Sequence, residues 1–256
     1  MRGPVVVEVD GTSSSLAAVE VAAWEADRLG VDLRLTHAFT WPAGHVPPGV
    51  PPWDSEGAGL RDRVNGTFAA AEQRARRVAP HVTITRDVLV GEPVTVLESE
   101  SRSASLTVLG ARRAHGSGSV ADRLAAHSRG PVLVLRGEPD HGGPVVLVDD
   151  CSPQARTTAE FAFAEASEHG TDLVVLRTRR VPVRWSLTEL SKRYPAVGVR
   201  HRRIRSRRAL VEASAAARLV VVGTRHRMLG LSSGAVGRTA LRHARCPVAV
   251  VPEAKP

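Results

Sequence analysis

The stretch LGARRAHGSGSV, Leu109 to Val120, leaves a short apolar run and enters a helix-like pattern. Glycines such as Gly110 and Gly118 let main-chain N–H groups approach an oxyanion with no Cβ in the way. Ser119 and Val120 open a helix, whose first turn carries unpaired N–H groups and favours negative charge. Arg112 and Arg113 add cationic donors. The chemistry these residue types suit is oxyanion binding, phosphate foremost. Asp10 closes another apolar run and brings a carboxylate to the same kind of strand end, although an Asp-Gly pair there is also an ordinary turn.

Other chemistries find less support. Gly230 to Gly234 spells Gly-x-Ser-x-Gly, but a hydrolase of that kind needs an acid and then a histidine after Ser232, and only His243 and then Glu253 follow. No Gly-x4-Gly-Lys-Ser/Thr sequence occurs. Asp149 and Asp150 are neighbours, so on a strand they point to opposite faces and make a poor metal pair. His37 ends a strand pattern and reads as a packed or capping residue rather than a catalyst. The expectation is no catalytic residue and no metal. Cys151 and Cys246 lie far apart with no metal-type spacing, which suits a reducing cytoplasm. No apolar run approaches the roughly 18 residues of a membrane span, and the first residues lead directly into a strand pattern without a leader-like segment.

These residues need elements to position them, and the chain supplies the elements twice. GPVVVEVDGTSSSLAAVEVAAWEA (3–26) aligns with GPVVLVDDCSPQARTTAEFAFAEA (143–166), placing Asp10 on Asp150 and Gly30 on Gly170. Farther on, LTVLG (106–110) aligns with LVVVG (219–223), and GPVLVLR (130–136) with CPVAVVP (246–252). The shrinking separation means that the second copy lacks about 25 residues in its middle. Each copy alternates strand and helix. Val5 to Val9 is a buried-type strand broken only by Glu8; Thr12 to Ser15 offer helix caps; Leu16, Val19, Ala23 and Ala26 follow at helical spacing. Val64, Phe68, Ala71, Ala75 and Val78 share one face of a second helix, Arg61 to Val78, which residues 186–194 of copy two are too few to replace. The prediction is an α/β fold: two tandem flavodoxin-like, Rossmann-like domains, 1–138 and 143–256, each with a five-stranded parallel sheet and helices on both faces, the second shortened. Ligands of such folds sit beyond the carboxyl ends of the strands. That places Asp10, Ala38 and Gly110 around one crevice and Asp150, Thr178 and Gly223 around another. The Pro-rich segment between Trp41 and Trp53 reads as a surface cover or a lid over the first crevice.

Nearly the whole chain resembles the universal stress protein family in its tandem form, through VEVDGTSSSLAAVEVAAWEA, LRLTHA, VLVGEPVTVL, LTVLGARR, GSVADRLAAHSRGPVLVL and their second-copy counterparts. The resemblance implies pairing of the copies through their last strands. It also implies a nucleotide site in which an Asp after the first strand serves the base and ribose, and Gly-x2-Gly-x9-Gly-Ser/Thr cradles the phosphates. Here that pattern is damaged. Arg113 stands at its second glycine, and Gly118–Ser119 closes it five residues early. In copy two, Gly223 is kept, His226 stands at the second glycine, and Gly234–Ala235 closes two residues early without the hydroxyl.

Three readings stand. In the first, triphosphate binding is weak or lost, no cofactor is bound, and the chain is a non-catalytic stress-response module joined as an intramolecular pseudo-dimer. In the second, it is a nucleotide sensor or weak ATPase binding ATP in copy one through Asp10, Ala38, Gly110, Arg113, Gly118, Ser119 and Val120; Asp150, Gly223 and Gly234 are the weaker counterparts. The third rests on the net charge of +9 and on twelve Arg or Lys against one acid between Arg177 and Arg208: a polyanion or nucleic-acid binder with a basic face, RHRRIRSRR (200–208). A solvated strand edge and loop is the simpler explanation of that run, since no aromatic residue is interleaved for stacking. A homodimer, and an anionic or a protein partner, fit these readings; a membrane partner does not.

Overall fold

A computed structural model describes residues 3–39, 58–110, 120–137, 140–149, 155–177, 187–204, 206–224 and 233–252. Arg112, Arg113, Gly118, Ser119, Asp150, Thr178, Arg205, His226, Ser232 and the Trp41–Trp53 segment lie outside the described residues. Strand and helix alternate through both copies. The first runs β1 (Val5–Glu8), α1 (Ser13–Leu29), β2 (Leu33–Phe39), α2 (Ala58–Val78), β3 (Ile84–Val90), α3 (Pro93–Glu100), β4 (Leu106–Gly110), α4 (Val120–His127) and β5 (Val132–Leu135). The second runs β6 (Val145–Asp149), α5 (Ala155–Glu168), β7 (Leu173–Arg177), α6 (Leu187–Arg193), β8 (Val199–Arg203), α7 (Arg207–Ser214), β9 (Leu219–Thr224), α8 (Ser233–His243) and β10 (Val248–Pro252).

The chain divides into two compact units, Met1–Gly130 and Pro131–Pro256. In unit 1, β1 lies between β2 and β4, and β3 flanks β2, all parallel. In unit 2, β6 lies between β7 and β9, with β8 beyond β7 and β10 beyond β9, again all parallel. By sequence, β5 closes the first repeat. By packing it belongs with unit 2, because it pairs antiparallel with β10, with Leu133 opposite Ala249. The order in which the strands are laid down reverses at β1/β4 and at β6/β9, the switch points where crevices open in α/β folds.

Elementary sequence features build these elements. Val5, Val6 and Val7 are wholly buried, each contributing about 1.5–2 kcal/mol of transfer free energy. Alanines 18, 22, 23 and 26 form the inner stripe of α1 and let it lie close to the sheet. Thr12 caps α1 by accepting from the Ser15 N–H, and Gly30 ends it in the left-handed region at φ 65°, where its N–H meets the Ala26 and Asp27 carbonyls. On α2, Phe68, Ala71 and Ala75 are buried as their spacing predicts, but Val78 is exposed and Ala79 is buried instead. The reason is phase: four residues after Ala75 stays on the stripe at that turn, and three does not. Among the described residues no helix is long and apolar enough to cross a membrane.

Candidate functional site

The first crevice begins where β1 gives way to α1. Asp10 is exposed there, and its Oδ1 accepts from the Thr12 N–H at 2.9 Å and from the Thr12 hydroxyl at 2.6 Å. Thr12 Oγ1 in turn accepts from the Ser15 N–H and lies 3.0 Å from Ser14 Oγ, while the Ser15 hydroxyl donates to Thr12 O. One carboxylate oxygen is thus built into the helix cap. Ala38 sits near the end of β2, half-buried, in register with Leu89. Beside it, His37 Nδ1 lies 2.7 Å from Val9 O; a carbonyl only accepts, so Nδ1 carries the proton. The His37 ring also meets Phe68 of α2 edge-on at 6.3 Å. His37 is therefore held as a packed, capping residue.

Gly110 closes the other side of the crevice. A Cβ there would lie 2.4 Å from Ser14 O and 2.8 Å from Ser15 N, so the end of β4 presses against the first turn of α1. Its glycine is required for strand-to-helix contact whatever the following loop does. Val120 then starts α4, half-buried above Leu124 and Ala125. Arg123 of that helix donates to Glu92, the cap of α3, at 2.9 Å. Burial works against ionisation of Glu92, but the Thr95 N–H, the Arg123 charge and the Thr95 hydroxyl outweigh it, holding the carboxyl below its ordinary range.

The second crevice has different chemistry at matching positions. Where unit 1 has Val9 and His37, unit 2 has Asp149 and Arg177. Asp149 Oδ2 is fully buried 3.4 Å from Arg177 Nε. This pair was missed by sequence reasoning, although the repeat alignment held the signal: both residues change together. Gly223 again needs its bareness, but a Cβ there would meet the Thr158 hydroxyl at 2.8 Å rather than backbone. Gly234 lies inside the first turn of α8 instead of preceding it. Among the described residues no group of three metal-ligating side chains forms. Cys246 is buried, which pushes its thiol up to about 12.

The arginine run does not present one face. On β8, Val199, His201 and Arg203 point one way and Arg200 and Arg202 the other. Arg200 pairs with Asp172 at 2.9 Å, and Arg208 of α7 with Glu212 at 2.8 Å. Much of the charge therefore serves local ion pairs and an edge strand, where charged side chains hinder unwanted pairing.

Comparison with known proteins adds to this geometry. A model described as "Universal stress protein family" matches residues 1–136 and 187–252. The universal stress protein Rv1996 of Mycobacterium tuberculosis is 32% identical, with 96% of this chain and 94% of the relative covered. Their alignment spans 302 positions, more than this chain has, so the relative carries residues that are missing here. A universal stress protein of Mycolicibacterium smegmatis is 30% identical, with 96% of each chain covered. In fold, the chain is similar to a universal stress protein from Archaeoglobus fulgidus, at a TM-score of 0.76 and 15% identity over 99% of this chain and 97% of that one.

Proposed function

The chain belongs to the universal stress protein family, and from that premise we propose that it serves the stress response as a tandem binding module, not as an enzyme. The observation that carries this reading is Gly110. Its missing side chain is accounted for by the backbone of Ser14 and Ser15, so it is no sign of a phosphate cradle. Two further features support it: Asp10 Oδ1 is already engaged by Thr12, and the loops after Gly110 and Gly223 are shorter than the family's phosphate pattern. A cytoplasmic location and pairing of the two copies through their last strands belong to the same proposal.

A second reading, a nucleotide sensor using the first crevice, is favoured by one observation: Asp10 is exposed beside the start of α1, at the β1/β4 switch point. Equilibrium binding of ATP to the full chain and to Asp10→Ala decides between them. The binding-module reading expects no saturable uptake at millimolar ATP and no release of phosphate. Saturable binding that disappears in Asp10→Ala would replace it with the sensor.

A further inference from the structure

We infer that the carboxyl ends of β7 and β8 form an oxyanion site, built by Arg177, Arg203 and His201, that takes a single phosphate group. In unit 1 the matching end of β2 lies under a helix. There α2, 21 residues long, lays Phe68 on His37 and pairs Glu72 with Arg86 of β3. In unit 2 the corresponding helix, α6, has seven residues; its buried Leu190 and the neighbouring Tyr194, stacked on Phe163, lie toward α5. The Phe68 ring contact shields the His37 position in unit 1, whereas among the described residues α6 lays no such contact on Arg177, which is about a third exposed, and the residues at the matching strand ends have changed. The positions of His37, Arg86 and Val88 are taken by Arg177, His201 and Arg203.

Register brings these three together. Arg177 is directly opposite Arg203, and His201 is opposite Val175 on the same side of the sheet. Like charges placed directly opposite on neighbouring strands repel unless something sits between them. Asp149 offsets part of this. Its buried carboxylate lies 3.4 Å from Arg177 Nε with no hydrogen bond to that nitrogen, so the two are paired by charge. Arg203 makes no ion pair among the described residues, and His201, like Arg203, is exposed. Partial desolvation, and then the Arg177 charge, hold His201 below its ordinary range against the pull of Asp149, so His201 lies within the field of Arg177 and Asp149. Arginines opposite each other in register can both reach one phosphate, and guanidinium forks match phosphate oxygens in geometry. The site lies in unit 2 and does not depend on whether unit 1 holds a nucleotide.

The test is calorimetric titration of the full chain with inorganic phosphate at pH 7, with AMP as a second arm. Saturable phosphate binding is expected, weakened about tenfold or more in Arg203→Gln and Arg177→Gln, and unchanged in Arg202→Gln on the opposite face. Arg203→Gln is decisive, because Arg177→Gln also disturbs Asp149. AMP binding tighter than phosphate, with the same dependence on Arg203, identifies a phosphomonoester as the source of the group; equal affinities identify free phosphate. No saturable phosphate binding, or an equal loss in Arg202→Gln, overturns the inference.

Discussion

Replacing Gly110 by alanine would put a Cβ 2.4 Å from Ser14 O, 2.5 Å from Ser14 C and 2.8 Å from Ser15 N. All three are backbone atoms of the first turn of α1, so no rotamer change relieves the overlap. The turn has to retreat by about 1 Å, pulling on the Thr12 cap and the Asp10 contact with it. Overpacking of this kind costs about 1–3 kcal/mol. The alanine recovers about 0.5–1 kcal/mol of strand and unfolded-state entropy. The net expectation is a loss of about 1–2 kcal/mol, seen as a lower urea midpoint at unchanged slope. Gly223→Ala is the internal control. Its new Cβ meets the Thr158 hydroxyl, a side chain that can turn, so the midpoint should move by less than about 0.5 kcal/mol. A Gly110→Ala protein with the wild-type midpoint, or one less affected than Gly223→Ala, would refute the packing account of Gly110 and reopen a cradle role for it.

Two further outcomes follow from titratable groups. The Glu92 carboxyl is held below its ordinary range, so its contribution to stability is present above the unfolded-state value and is lost as pH falls through the folded one. Glu92→Gln should therefore flatten the acid limb of unfolding measured between pH 5 and 3. The effect is about 0.5 kcal/mol or less, since the Glu92–Arg123 pair is about half exposed to solvent. Cys246, with its thiol near 12, should resist alkylation by iodoacetamide at pH 8 in a folded Cys151→Ser protein and react once the chain is unfolded in urea. Rapid labelling of the folded form would contradict its burial.

Periodic and capping signals were legible because they act within a few residues. The Val5–Val7 strand, the Thr12 cap, the Gly30 stop and the repetition of the whole pattern all carry their physics locally. The features that escaped are decided across the fold. Pairing of β5 with β10 follows from the family resemblance, but that β5 packs with unit 2 and not with its own repeat is decided by this partner, more than 100 residues away. The need for glycine at 110 depends on how closely β4 approaches α1, and nothing in the LTVLG run states that distance. The arginine run reads as one basic face in a string of letters, and the pleat of β8 divides it between two. Four of the seven residues of the predicted first-copy nucleotide set, Asp10, Ala38, Gly110 and Val120, come from the ends of β1, β2 and β4 and the start of α4, and the other three lie outside the described residues.

The short α6 and the basic end of β7 and β8 are best understood as one change. Suppose unit 2 kept a helix as long as α2 over this face. The ring contact that falls on His37 in unit 1 would then fall on Arg177, driving its guanidinium out of water with Asp149 as the carboxylate against it, and each buried ion costs several kcal/mol unless it is paired. Unit 1 meets that constraint with an apolar ring contact, His37 on Phe68, and one compensated cation, Arg86 with Glu72. Unit 2 meets it by leaving Arg177 about a third exposed. A charged strand end under a long helix would destabilise the unit. A short helix and a charged end of β7 therefore go together: His37 packs under Phe68 in unit 1, and Arg177 stays about a third exposed in unit 2.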